Sequence, residues 1–170
     1  QLRSMELNCY ERGAMLRLSA AVKINQDDLT GAIRDLEEAI RVGAIAGDQV
    51  GQTYYSIAQL HLQTENVPQA KAYMDRWLAT GVTPTRDQNW QLAVIHQQLE
   101  DYRGALPYAE RVLAADGDNA SRQTIDFLIF LYDRTGDRAK KAELLQRLLR
   151  SDPNDRRVWD AIAGDYYSGN

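Results

Sequence analysis

The chain is short of the residues that most site chemistry requires. Of its 170 residues one is cysteine, Cys9, two are histidine and two are phenylalanine. A single thiol closes no internal disulfide and by itself does not assign a redox compartment. There is no Gly-rich phosphate loop, no serine nucleophile elbow and no cysteine matched to a histidine, which removes the common nucleotide-binding and acyl-transfer chemistries. No apolar run reaches the ~20 residues of a membrane helix, so the sequence predicts no membrane insertion. Net charge is −4 with 20 Lys and Arg. Nucleic acid binding needs clustered cations that release counterions, and an acidic balance argues against it. What remains, at 44% hydrophobic and 26% charged, is ordinary globular composition.

What the chain does have is periodicity. From Gly51 to Pro84, Tyr54, Ile57, Ala58 and His61 share one helical face, and Ala70, Met74, Trp77 and Leu78 share another. Asn66 is placed to cap the second helix and Pro68 falls in its first turn, where a missing N–H costs nothing. The hairpin is repeated. The slot of Ile57 recurs as Ser19, Leu92, Leu128 and Ile162, at spacings of 38, 35, 36 and 34 residues. Ala58 corresponds to Ala20, Ala93, Ile129 and Ala163, and His61 to Lys23, His96, Tyr132 and Tyr166. Ala70 corresponds to Ala32, Ala105 and Lys141.

This pattern resembles the tetratricopeptide repeat (TPR), whose template has a period of about 34 residues with an aromatic, a leucine, a small residue and a tyrosine in its first helix. Trp159, Ile162, Ala163 and Tyr166 match all four of those places. The resemblance implies an all-α fold, a right-handed α-solenoid of antiparallel hairpins. It would form a single domain over 1–170, with repeats at about 13–46, 51–84, 86–119 and 122–155 and a terminal helix at 156–168. The departures are Lys141 in an alanine slot, Ser19 and Lys23 in the first copy, and Asn89 in a large apolar slot, with Trp90 beside it as a substitute.

Residues 1–12 read as an N-terminal helix or the tail of an earlier repeat, since Leu2, Met5 and Cys9 have helical spacing; a break is expected near Gly13. A second helix is expected over Asp28–Val42, and Asp48 is expected to cap the third. Pro107 is tolerable in a first turn or as a kink. The terminal stripe of Trp159, Ile162, Ala163 and Tyr166 covers one face of the last helix, either as a cap or as the point where a longer array is cut. The start at Gln1, without Met, predicts an upstream residue series and any export signal it carries.

His61 and His96 occupy the same slot in neighbouring copies, but the template fills it with a packed tyrosine, and no further Cys or His lies near. No metal or other cofactor is expected. The acidic pairs at 27–28 and 37–38 fall in turns or on outward faces, so no enzyme is predicted. In TPR arrays the first helices line the concave groove. The outward places there are Gln52, Tyr55, Gln59 and Gln63, then Trp90, Gln91, Val94 and Gln98, then Phe127 and Phe130. These lack the Lys, Asn and Arg set with which some TPR domains hold a C-terminal carboxylate. Aromatic rings among amides suit an extended protein segment or a helix.

A narrower resemblance lies in YYSIAQL at 54–60, AYMDRW at 72–77 and the EDY and ALP runs at 100–107. These look like the TPR proteins of bacterial TonB/ExbB/ExbD energy-transduction systems, which implies a periplasmic accessory of that complex; without it the reading is cytoplasmic. The expected function is a non-catalytic protein–protein scaffold gripping a partner protein or peptide. The alternative is a structural or oligomerisation module of an envelope or secretion assembly, self-associating through its exposed terminal helices.

Overall fold

The computed structural model describes the backbone of residues 9–168 and the side chains of 11–167. The Leu2, Met5 and Cys9 stripe lies outside the described side chains. Among the described residues there are nine α-helices and no strand: α1 (Cys9–Asn25), α2 (Leu29–Arg41), α3 (Gly47–Gln63), α4 (Val67–Leu78), α5 (Arg86–Gln98), α6 (Tyr102–Asp116), α7 (Arg122–Thr135), α8 (Arg138–Ser151) and α9 (Arg156–Ser168). A short 3-10 turn, Gly117–Asn119, follows α6. The chain divides into two compact units, Gln1–Pro84 and Thr85–Asn170. In the first, α1 packs on α2, α2 on α3 and α3 on α4. In the second, α5 packs on α6, α6 on α7, α7 on α8 and α8 on α9. The architecture is an all-α array of helix hairpins.

Every hairpin turns by one device. A residue in the left-handed region, Asp27, Glu65, Glu100 or Gly136, reverses the chain. The next residue, Asp28, Asn66, Asp101 or Asp137, then accepts a hydrogen bond from the backbone N–H three residues on. Each such cap is worth about 1 kcal/mol, which offsets the ~1 kcal/mol of left-handed strain at the three non-glycine turns. Among the first helices, α5 opens with a reciprocal capping box between Thr85 and Gln88, and α7 with Ser121. The third helix departs from expectation. Ala46 holds its N-cap without a side-chain bond, and Asp48 lies in the first turn, where a negative charge favours the helix dipole instead. Pro107 sits inside α6, which continues past it to Asp116.

Helix α1 runs unbroken through Gly13, contrary to the expected break. That glycine is kept bare by a neighbour: a Cβ there would lie 2.1 Å from the Cβ of Ala44. The first unit's core is built on Ala32, Ile57, Ala58, Ala70, Met74 and Trp77. The second's is built on Ala93, Ala105, Ala109, Leu128, Leu131, Leu145 and Val158. Fully buried alanines let the hairpin helices approach closely, while Trp77 and Met74 each remove enough apolar surface to contribute about 3 kcal/mol.

Three slots differ from the sequence reading. Asn89 is itself buried and donates from Nδ2 to the Thr85 carbonyl at 2.9 Å, so Trp90 does not take over its packing place. Lys141 is buried, with Nζ 2.6 Å from both the Asp133 and Asp165 carboxylates. In α9 the buried residue is Val158, while Trp159 and Tyr166 stand 52% and 72% exposed and Ala163 is exposed with them. Of the template stripe, Ile162 is half-buried against the core, while the other three positions stand exposed.

Candidate partner-binding faces

The first unit carries its candidate residues on α3. Gln52 and Gln63 are exposed; Tyr55 and Gln59 are half-buried. Tyr55 leans on the buried Trp77 of α4, ring centroids 4.9 Å apart and planes at 49°. The Tyr55 ring thus serves the hairpin on one side and faces solvent on the other.

In the second unit α5 and α7 bring their aromatics together. Trp90 and Phe127, both half-buried, meet at 5.1 Å between centroids. Val94 and Gln91 are half-buried beside them on α5, and Gln98 is exposed. Phe130 is 38% exposed and stands edge-on to Tyr102 at 5.6 Å. The Arg134 guanidinium lies 4.6 Å from the centroid of the same Tyr102 ring and donates to its hydroxyl at 3.0 Å. Tyr102 and Arg134 were missed by sequence reasoning, because Tyr102 opens α6 and falls outside the first-helix template. The patch is an apolar pair, Trp90 and Phe127, next to a Phe130–Tyr102–Arg134 cluster. It can cover apolar side chains and offers a guanidinium to a carbonyl or carboxylate.

The same order of paired helices occurs in solved proteins. YrrB, described as a TPR protein with an unusual peptide-binding site, superposes with a TM-score of 0.63 at 17% identity, over 89% of this chain and 75% of that one. MamA from Desulfovibrio magneticus RS-1 gives 0.59 at 17% identity, over 89% of this chain and 81% of that one. PilF of Pseudomonas aeruginosa gives 0.55 at 18% identity, over 89% and 66%. The fold is that of a TPR array. No protein-family model matches the chain. No curated protein matches it either.

Within the TPR framework the two histidines are packing residues. His61 is buried, lies nearly parallel to Tyr73 at 5.6 Å, and has no hydrogen-bond partner on either ring nitrogen. Burial pushes its imidazole below the ordinary value, and the Glu37 charge offsets part of that. Tyr73, buried and donating to Glu37 at 2.6 Å, is pushed up to about 12. His96 instead bonds Asp101 through Nδ1 at 2.7 Å, joining the end of α5 to the cap of α6. Among the described residues no group of three or more His, Cys, Asp or Glu is placed to hold a metal ion, and no helix is long and apolar enough to cross a membrane.

Across the second helices, a cleft of about 640 Å³ opens between α6 and α8, lined by Glu110, Asp118, Tyr132, Lys140 and Arg147 among others. None of the predicted site residues lines it. Part of its charge is spent internally: Glu110 takes bonds from both Tyr132 and Lys140, and Arg147 donates to the Gly117 carbonyl.

Proposed function

We propose that this chain is a non-catalytic TPR scaffold whose first-helix faces hold a segment of a partner protein. The observation that carries the proposal is the grouping of Trp90, Phe127 and Phe130 on α5 and α7, all partly exposed. Rigid aromatics supply contact area at small entropic cost, and a preformed surface needs little ordering on binding. Gln52, Gln59, Gln63, Gln91 and Gln98 are the amides that meet the partner's backbone, with Tyr55 and Val94 adding apolar contact. A peptide-binding site in a structural neighbour, YrrB, supports the same class of role. The net charge of −4 argues against a nucleic acid partner.

The finer reading is an accessory of a TonB-type energy-transduction complex in the periplasm. It rests on the wording of residues 54–107 alone. Both levels are tested by capture on immobilised protein, comparing the wild type with Tyr55→Ala and Trp90→Ala. Retention of TonB, ExbB or ExbD by the wild type and its loss with either variant supports the finer reading. Other polypeptides lost with the variants support the scaffold alone, and equal retention by all three proteins overturns the proposed face. Circular dichroism should show both variants as helical as the wild type.

A further inference from the structure

We propose that the aromatic face of α5 and α7 selects a partner segment with an acidic side chain, an Asp or Glu about three residues from a large apolar anchor. This rests on the reading of that face as the partner-binding surface, and adds what the partner must bring to it.

Phe127, Phe130 and Arg134 follow one another at three and four residues along α7, so they share one side of the helix. Trp90 of α5 closes on Phe127 at 5.1 Å, which puts the apolar area at one end of that stripe. The guanidinium of Arg134 stands at the other end, and it is held there. It lies 4.6 Å over the centroid of Tyr102, donates to the Tyr102 hydroxyl at 3.0 Å, and the same ring stands edge-on to Phe130 at 5.6 Å. Phe127 and Arg134 are separated by a helical rise of about 10 Å.

Charge names the partner's complement. The charged side chains of α7 are Arg122, Asp126, Asp133 and Arg134. Arg122 bonds both Asp126 and Asp155, and Asp133 takes Lys141. Asp101, next to Tyr102, is bonded to His96 and to the Gly104 N–H. Arg134 makes no ion pair among the described residues, and its bond to a phenol uses one of five N–H groups. A guanidinium already stacked and pinned loses little freedom on meeting a carboxylate, whose two oxygens match its forked donors. An extended segment rises about 3.3 Å per residue, so three residues carry it from the Trp90–Phe127 pair to Arg134. Gln98, exposed two turns along α5 from Trp90, can bond a partner backbone only where that backbone is not already paired in a helix.

The test selects a library of random 12-residue segments, displayed with their C-termini fused so that only side chains supply carboxylates. The baits are the 170-residue chain, Trp90→Ala and Arg134→Glu, each checked by circular dichroism. The wild type should enrich segments with a large apolar residue and an Asp or Glu about three residues apart. Arg134→Glu should keep the apolar residue and exchange the acid for Lys or Arg. A synthetic peptide of the most enriched segment, amidated at its C-terminus, is then compared with its Gln counterpart by fluorescence anisotropy. The acid should bind the wild type several-fold more tightly, the scale of a partly exposed ion pair, and the two peptides should bind Arg134→Gln equally. If Arg134 only props Tyr102, its replacement weakens both peptides alike and the proposal falls. Enriched segments that are apolar without an acid, or the same acidic set on Arg134→Glu, overturn the proposal and leave the face standing. A wild type that retains nothing beyond what Trp90→Ala retains overturns the face itself, and this proposal with it.

Discussion

Replacing His61 by tyrosine tests how this array tolerates a buried imidazole. His61 has two ring nitrogens without partners in the α3–α4 interface, and burial holds its protonation below the ordinary range. A base whose folded pKa is lowered takes up its proton more readily when unfolded. Folding stability is then intact above the ordinary value near 6.5 and falls as pH drops toward the folded value. Within that window the loss is at most about 1.4 kcal/mol per pH unit for one group. Carboxylates held low by cations, Glu110 by Lys140 and Asp116 by Arg86, lose their contribution only at lower pH, as they protonate. The equivalent slot in α7 is Tyr132, whose hydroxyl donates to Glu110 at 2.8 Å. Glu37 holds the corresponding place on α2, so a tyrosine at 61 has an acceptor waiting. From pH 7.5 to 5.5 the wild type should lose more stability than His61→Tyr, by at most about 1.4 kcal/mol, and at pH 7.5 the variant should be as stable or slightly more so. Urea unfolding followed by circular dichroism at both pH values measures this, with amide exchange in α3 as a local check. Equal pH slopes in the two proteins would refute the reasoning.

Lys141→Met keeps the buried stem and removes the two bonds that tie α7 and α9 to α8. Charged hydrogen bonds contribute about 1.5–3 kcal/mol each, but Asp133 and Asp165 are partly exposed and rehydrate, so α9 should lose about 1–2 kcal/mol of protection by amide exchange. Burial disfavours the Lys141 charge, yet the two carboxylates outweigh it and hold the ammonium above its ordinary value. The contribution is therefore complete below about pH 10.5 and lost above it, and the Met variant should lack that alkaline fall. Gly13→Ala drives a methyl into Ala44 and should cost about 1–3 kcal/mol, read as a lower urea midpoint; an unchanged midpoint would mean the crossing has room.

The periodic slots Ile57, Leu92 and Leu128, the alanines at 58, 70, 93 and 105, and the caps at Asp28 and Asn66 carry the fold in plain view. Each depends only on spacing along a helix or on a side chain reaching three residues ahead. Lys141 could be seen as a misfit but not explained, because its partners are 8 residues before it and 24 after it. Asn89 reads as a vacancy in the sequence because the bond from its Nδ2 runs to the backbone carbonyl of Thr85, which leaves no trace in composition. Of the candidate faces, the placing of Trp90 and Phe127 on successive first helices was legible, since both follow the template. The Phe130–Tyr102–Arg134 cluster was not, because it joins two different elements.

The sequence by itself determined an array of helix hairpins and its register, because helical periodicity and capping are local. Only the tertiary structure decided which side of each ring is covered. Tyr55 leans on Trp77, His61 is sealed without a partner, and in α9 it is Val158 that is buried. Of the template places that pack inward in α3, α5 and α7, Ile162 alone stays against the core there, and Trp159, Ala163 and Tyr166 are exposed. Burial depends on which helix lies against a face, and that is set by neighbours distant in sequence.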